Sequence, residues 1–305
     1  MRYQLEFLPY QRRFKIPLKT HHGLWKIREG IILSLQDEMG RITQGEIAPL
    51  PWFGTETIEQ AIALCSSFGE TVATAQIQAI SDQFPACQFG FETGVNSELL
   101  SVSNHCLGNE KYCQLLPRKN DLLEKILSFY TEGFRTFKLK IAIKKLDQEI
   151  ELCQRIIERI PIDGKLRLDA NGGLTFAEAK QWLEWGDRQS KLEFIEQPLP
   201  PENFEQLLWL QQNYQTAIAL DESVSNLRDL RICYENGWRE IFVVKAAIAG
   251  FPSHLKTFCQ NHDLDIVFST VFETEIGRKA LLNLASQIAN PNRALGIGGS
   301  HWFAD

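Results

Sequence analysis

Five charged residues in the second half of this chain recur at intervals that suit a single enzyme site. Lys140, Asp169, Glu196, Asp221 and Lys245 follow one another in steps of 29, 27, 25 and 24 residues. Each step is about one strand–helix unit, and each residue closes a short apolar run that reads as a strand. Three carboxylates converging from neighbouring strand ends make an all-oxygen site for a hard dication, Mg²⁺ or Mn²⁺, whereas zinc prefers His and Cys. Three ligands leave octahedral positions for water and for a substrate carboxylate. Lys140 and Lys245, four strands apart in order, are expected to face each other across the mouth. An amine beside a dication and beside Lys138 has its pKa pushed down and can act as a base near neutral pH. Taken singly, Asp169 or Asp221 would read as a helix cap, and Lys138 and Lys140 as a solvated edge. The regular spacing is what makes them one site.

The elements that must position these residues fall into two parts. Strands over 2–8, 30–36 and 42–47, then helices over about 57–68, 72–82 and 86–100, predict an α+β module. After about residue 110 a short strand alternates with an amphipathic helix. Strands are expected at 112–116, 136–141, 165–169, 192–196, 217–221, 241–245, 265–268 and, weakly, 294–296. Helices are expected at 146–159, 175–184, 203–212, 226–236, 252–262 and 275–287. Eight parallel strands predict a closed TIM-type (β/α)7β barrel, with the charged residues at the end where such barrels build active sites. An open doubly wound sheet would want a glycine-rich phosphate turn after an early strand, and none is present. The expected division is a cap over 1–105 and a catalytic barrel over 106–289, with residues from about 290 to 305 packing back on the cap.

The composition of the whole chain agrees with that plan. Its 305 residues exceed one small domain, and a hydrophobic share of 44% supports a sizeable core. A net charge of −6 with acids and bases interspersed gives no electrostatic footprint for nucleic acid or an anionic membrane. No apolar run approaches the roughly 20 residues of a membrane span. The stretch from Met1 to Phe7 alternates like a strand and does not read as a signal peptide. Seven scattered cysteines without a C-x-x-C pair suit reduced thiols in the cytoplasm. A small-molecule carboxylate is the expected partner, and monomer and homo-oligomer both stay open.

With these motifs assembled, the sequence resembles the enolase superfamily and, within it, the muconate-lactonising subgroup. The matching pieces are Lys138-Leu139-Lys140, the subgroup's K-x-K mark, then Leu168-Asp169-Ala170-Asn171-Gly172, Phe194-Ile195-Glu196-Gln197-Pro198, Leu220-Asp221-Glu222-Ser223 and Val244-Lys245. The first hundred residues look like the superfamily's capping domain. Three further features narrow the resemblance to a dehydratase branch: Pro17 to Gly23, similar to a substrate-covering loop; Arg167 two residues before the first ligand; and Glu46 to Pro51 followed by Phe53. The resemblance implies a syn dehydration of 2-succinyl-6-hydroxy-2,4-cyclohexadiene-1-carboxylate. Lys140 would remove the proton next to the ring carboxylate and then help hydroxide leave. Mg²⁺ would hold the enediolate, Lys245 would stabilise it from the other face as an ammonium, and Lys138 would tune Lys140 by like-charge repulsion.

Other residues carry weaker claims. Ser269 and Thr270 follow the seventh strand and are candidates to bind the succinyl carboxylate, against the reading of a helix cap before Glu273. Arg167 and Asn171 are candidates to orient substrate or ligands, against an ion pair for Arg167. Gly298-Gly299 could bring backbone amides to an anion. His22 is a candidate substrate contact on the cap loop, and Trp25 and Phe53 could wall the apolar side. The same scaffold also runs racemisation of N-acylamino acids and epimerisation of dipeptides, with the same lysines and metal. A non-catalytic carboxylate-binding barrel would have lost a lysine or a ligand, and all five residues are present. A Schiff-base aldolase built on Lys245 would need no metal site.

Overall fold

A computed structural model describes residues 1–20, 23–96, 108–118, 121–298 and 302–304. The first part is a four-stranded antiparallel sheet in the order β3-β2-β1-β4. Its strands are β1 (Arg2–Thr20), β2 (Gly23–Gln36), β3 (Ile42–Ile47) and β4 (Thr71–Ala73). Tyr3, Leu5, Ile31, Leu33, Leu35 and Ile47 alternate onto one buried face, as period-two patterning requires. That face packs on α1 (Ile58–Ser67) and α3 (Pro85–Val95). Gly45 makes the packing on α3 possible, because a Cβ there would lie 2.0 Å from the Gly90 carbonyl oxygen. The segment expected as a helix over 72–82 instead gives β4, which pairs with the start of β1, and only the short α2 (Thr74–Gln78).

The first two strands run much further than the patterning suggests. They form a continuous hairpin, from Gln4↔Gln36 to Thr20↔Gly23, with a bulge between Arg13 and Leu18. The expected covering loop is therefore the tip of this arm. Pro9 hides the continuation in the sequence. It is tolerated because β4 pairs only with residues 2–4, so at Pro9 the outer side of β1 is a free edge.

The second part is a seven-stranded parallel sheet, ordered β11-β10-β9-β8-β7-β6-β5. The strands are β5 (Cys113–Leu115), β6 (Thr136–Lys140), β7 (Lys165–Asp169), β8 (Leu192–Glu196), β9 (Ile218–Leu220), β10 (Ile241–Lys245) and β11 (Asp265–Ser269). Between and after them run α4 (Leu122–Thr131), α5 (Leu146–Arg159), α6 (Phe176–Gly186), α7 (Phe204–Asn213), α8 (Leu227–Glu235), α9 (Pro252–His262) and α10 (Glu275–Ile288). The weak eighth strand is reduced to two parallel bridges, Tyr112↔Leu295 and Ser269↔Gly296, which join the two edges and close the barrel. Outward residues such as Leu166, Leu168 and Ile195 pack on the helices, while Phe194, Ala219, Ile241, Val243 and Val267 form a separate apolar cluster inside. No helix among the described residues is long and apolar enough to cross a membrane, and the six described cysteines are buried and unpaired.

Glu46 fastens the cap to the barrel. It is fully buried on β3, and its carboxylate accepts from the backbone N–H groups of Thr274 (2.8 Å) and Gly277 (2.9 Å) and from the Tyr10 hydroxyl (2.5 Å). A carboxylate from one part thus caps the first turn of α10 in the other. At the C-terminal side, Phe14 bridges Phe303 and stacks on its ring at 4.8 Å.

The barrel floor supplies a pH-dependent contribution. Glu240, just before β10, accepts from the Ile218 N–H at 2.6 Å, and burial pushes its carboxyl up from 4.5 to about 7. The folded state therefore holds this proton more tightly than the unfolded chain does, so the contribution is present below about pH 4.5 and is lost as pH rises to about 7. Glu240→Gln keeps an acceptor for Ile218 and removes the titration. Its melting temperature, relative to wild type, is expected to rise between pH 5 and pH 8 by a few degrees. A pH-independent difference would refute this account.

Candidate active site

The five strand-end charges meet at one mouth. Register aligns Lys140 with Asp169 and Asp169 with Glu196, and Asp221 stands one residue past β9. Lys138 Nζ lies 2.8 Å from Asp169 Oδ2 and 2.6 Å from Glu196 Oε1. Lys245 pairs with Asp221, and its ammonium sits 4.1 Å from the centre of the Phe53 ring. Lys140 Nζ donates to Asn171 Oδ1 at 2.7 Å and lies 3.8 Å from Asp169 Oδ2. All three carboxylates are buried.

Burial and crowding set the electrostatics. Burial works against the charge on Asp169, but Lys138 and Lys140 hold its carboxyl down at about 2. Burial and then Asp169 push Glu196 up to about 8, against the pull of Lys138. Burial also opposes the charge on Lys138, yet Asp169, Glu196 and Asp221 hold it well above its ordinary value. The expectation that Lys138 acts through repulsion of Lys140 thus gains a second element: Lys138 is itself the counter-ion of two carboxylates.

These donors fit a hard dication in type. Among the described residues no three metal-binding side chains converge ready-made on one point, because ammonium groups stand between the carboxylates. The raised Glu196 is what burial beside Asp169 and Asp221 produces. Asp169, Glu196 and Asp221 could hold such a dication through their carboxylate oxygens.

The strand ends and the cap together enclose a cavity of about 1150 Å³. Lys138, Lys140, Asp169, Asp221 and Lys245 line one side, and Leu18, Trp25, Trp52 and Phe53 from the cap form an apolar wall. Asn171, Ser269 and Thr270 also line it. The Thr270 hydroxyl is engaged within its own turn, donating to Glu273 and accepting from the Phe272 N–H. Arg167 does not reach the cavity, which corrects its reading as a substrate contact. It sits one layer below Asp169, 1% exposed, with its guanidinium donating to Glu193 Oε2 at 2.6 Å and to the Ala294 carbonyl at 2.8 Å. A bulge in β8 turns Glu193 inward beside Phe194 and supplies this partner, and no periodicity argument finds a bulge. His22 and Gly299 lie outside the described residues.

Several residues with no role read from the sequence support the site. Gln197, in the left-handed region at φ 37°, accepts from the N–H groups of Asp221 (2.9 Å) and Ser223 (3.1 Å) and so fixes the turn that carries Asp221. Glu222 accepts from Asn171 Nδ2 at 3.0 Å, and burial, then Asp221, raise its carboxyl to about 7. Glu149 on α5 is buried and accepts from the N–H groups of Ala142, Ile143 and Lys144 at 2.7, 3.2 and 3.1 Å. It pairs with Arg118, which in turn donates to the Lys140 carbonyl. Only the polar residue on the inner side of α5 signals Glu149 in the sequence.

The Enolase C-terminal domain-like family matches residues 121–304, and the MenC N-terminal domain family matches residues 9–97. An o-succinylbenzoate synthase of Thermosynechococcus vestitus is 36% identical over 96% of this chain and 91% of its own length. Another, of Aliivibrio salmonicida, is 28% identical over 88% of this chain and 82% of its own. The crystal structure of o-succinylbenzoate synthase from Thermosynechococcus elongatus BP-1, with Mg in its active site, superposes with a TM-score of 0.89 at 35% identity, covering 99% of this chain and 94% of that one. A dipeptide epimerase of Enterococcus faecalis shares the fold, with a TM-score of 0.79 at 20% identity over 97% of this chain and 89% of its own. Fold and strand-end cluster together define an enzyme barrel of the enolase superfamily. Within that superfamily, the chain belongs to the o-succinylbenzoate synthase family, a family of hydro-lyases.

The Glu149 clamp yields a prediction. Glu149→Ala strands three N–H groups and leaves Arg118 without its partner, at a cost on the order of 3–5 kcal/mol. Chemical denaturation is expected to show that loss, and activity is expected to fall because the strand end carrying Lys140 loosens. Wild-type stability in the variant would show that the clamp contributes nothing.

Proposed function

We propose that this chain catalyses the syn dehydration of 2-succinyl-6-hydroxy-2,4-cyclohexadiene-1-carboxylate to 2-succinylbenzoate, a step of menaquinone and phylloquinone biosynthesis in the cytoplasm. The observation that carries the reading is the pair of lysines on β6 and β10, on opposite sides of the ring of strands, with three buried carboxylates between them. Residues 1–105 serve as the cap and 106–289 as the catalytic barrel. Residues 294–296 close the barrel, and the tail beyond them returns to the cap, a course favoured by the bridge between Phe14 and Phe303.

In this reading Asp169, Glu196 and Asp221 hold Mg²⁺, or Mn²⁺ with the same oxygen donors. When bound, the dication supplies positive charge that stabilises the substrate carboxylate as its neighbouring proton leaves. Lys140, aimed by Asn171 Oδ1, takes that proton as the neutral amine. Electrons from the broken C–H bond form the new ring C=C, and the C–O bond breaks. Lys140 returns its proton to the departing hydroxide, so water leaves from the face on which the proton was taken. Lys245 stays an ammonium, held by Asp221 and backed by the Phe53 ring, and faces the developing negative charge from the other side. Lys138 holds Asp169 and Glu196 in position. The aromatic wall of the cap excludes water from the ring, Asn171 and His22 are the polar groups assigned to orient it, and Ser269 and Thr270 are those assigned to the succinyl carboxylate.

The test is a spectroscopic assay on the cyclohexadiene substrate with added Mg²⁺ and with chelator. Turnover is expected with Mg²⁺ and is expected to vanish with chelator. Lys140→Ala should lower kcat by at least about 10³-fold, the scale of a lost general base. Turnover that persists in chelator, or in Lys140→Ala, would overturn the mechanism. Racemisation of N-succinylamino acids without dehydration would replace the substrate.

A further inference from the structure

The substrate proposed above carries two carboxylates; the lysines and acids of the mouth account for only one of them, and for the other Ser269 and Thr270 offer hydroxyls but no charge. Among the described residues the cavity holds one more cation, Arg278, on the first turns of α10 near the exits of β11 and of the bridging segment 294–296. By strand order this wall lies away from Asp169, Glu196 and Asp221. Arg278 differs from the lysines in its partners. Lys138 and Lys245 are each bound to carboxylates, and Lys140 approaches one. Arg278 Nη1 donates to the Gly298 carbonyl at 2.8 Å, and its guanidinium carbon lies 5.7 Å from the centre of the Tyr112 ring. Among the described residues no carboxylate pairs with it. The nearby acid Glu273 is turned to Thr270 and the Val271 N–H. Nε and Nη2 of Arg278 therefore remain available, in the fork geometry that suits a carboxylate.

We propose that Arg278 is a specificity-determining residue that binds the distal carboxylate of a dianionic substrate, the one on the flexible chain and remote from the reacting carbon. This deepens the dehydration reading and rests on it. The Gly298 carbonyl and the Tyr112 ring hold the guanidinium in place without neutralising it. Its charge is thus kept for the ligand, at the end of the cavity opposite the carboxylates that would repel that ligand. Binding energy so far from the chemistry anchors the ring without entering the proton-transfer step.

Two probes separate the possibilities: 2-succinylbenzoate, with both carboxylates, and 2-butyrylbenzoate, in which a methyl group replaces the distal one. Calorimetric titration of the Mg²⁺-supplemented wild type, Arg278→Gln and Arg278→Lys is the experiment, with thermal melts to establish that each variant folds. Arg278→Gln is expected to weaken 2-succinylbenzoate about 10–100-fold, the scale of a lost hydrogen bond to a charged group, and to leave 2-butyrylbenzoate unchanged. Arg278→Lys, which keeps the charge and loses the fork, should fall between. In turnover KM should rise while kcat changes little. Equal weakening of both probes, or of neither, would overturn the assignment and make Arg278 a structural tie to Gly298. A wild type that binds both probes equally would overturn this inference alone. A wild type that binds neither would overturn the dehydration reading together with it.

Discussion

Three buried carboxylates at the end of one barrel dominate this structure. Carboxylates without counter-charge in such a place do not stay ionised, and Glu196, pushed up to about 8 by burial and by Asp169, records that pressure. The lysines answer part of it: Lys138 bridges two of the acids and Lys245 takes the third. Three acids and three lysines make the mouth a near-balanced set of charges, and a dication entering it is offset in full only by a ligand that carries two carboxylates. Much of the remaining architecture keeps that set aligned. The members come from the ends of five successive strands, two of them from β6, so closure of the barrel by the bridges at Leu295 and Gly296 also keeps the charges together.

Alignment at this end is reinforced by polar groups that never face the cavity. Gln197 holds the N–H groups on either side of the Asp221 turn, and Glu149 with Arg118 holds the backbone that leaves β6 after Lys140. Beneath them Arg167, Glu193, Arg293 and Asp265 form a second ionic layer, with Arg293 reaching Glu193 at 3.0 Å and Asp265 at 2.6 Å. Such pairs contribute little net stability, since desolvation offsets much of their attraction, but removing one partner strands the other. Their effect here is to fix strand ends relative to one another.

What was legible in the sequence divides along the same physical line. The metal-type carboxylates and the lysines were legible because the βα repeat is regular and each sits at its strand end. The helices 146–159 and 252–262 were legible to the residue, because their apolar spacing and flanking residues agree. For Arg167 the ion pair, and not the substrate contact, is what the fold gives, and its partner was hidden because it depends on the inward bulge at Glu193. The extent of β1 was hidden by Pro9, whose tolerance depends on how short β4 is. Gln197, Glu149 and Arg278 act through loop carbonyls, loop N–H groups and neighbours far along the chain, and local patterning does not encode those meetings. The placement of the charged residues is therefore readable from periodicity, while their supports emerge only from the packed chain.

This asymmetry bears on how one scaffold serves several reactions. Lys140, Lys245 and the acids sit on strands whose positions are fixed by pairing on both sides, so their geometry is expensive to change. The cavity's other walls come from the hairpin arm, the turn after β3 and the segments after β11 and residue 296. Those segments meet mostly through aromatic edges, such as Trp25 against Trp52 at 4.9 Å and Phe272 against Trp302 at 5.7 Å, with the Phe14–Phe303 bridge as a backbone pairing between them. Contacts of that kind tolerate substitution one residue at a time. A barrel that abstracts a proton next to a carboxylate can then be turned to a new ligand by changing the aromatic wall or the distal cation, with the proton-transfer machinery untouched.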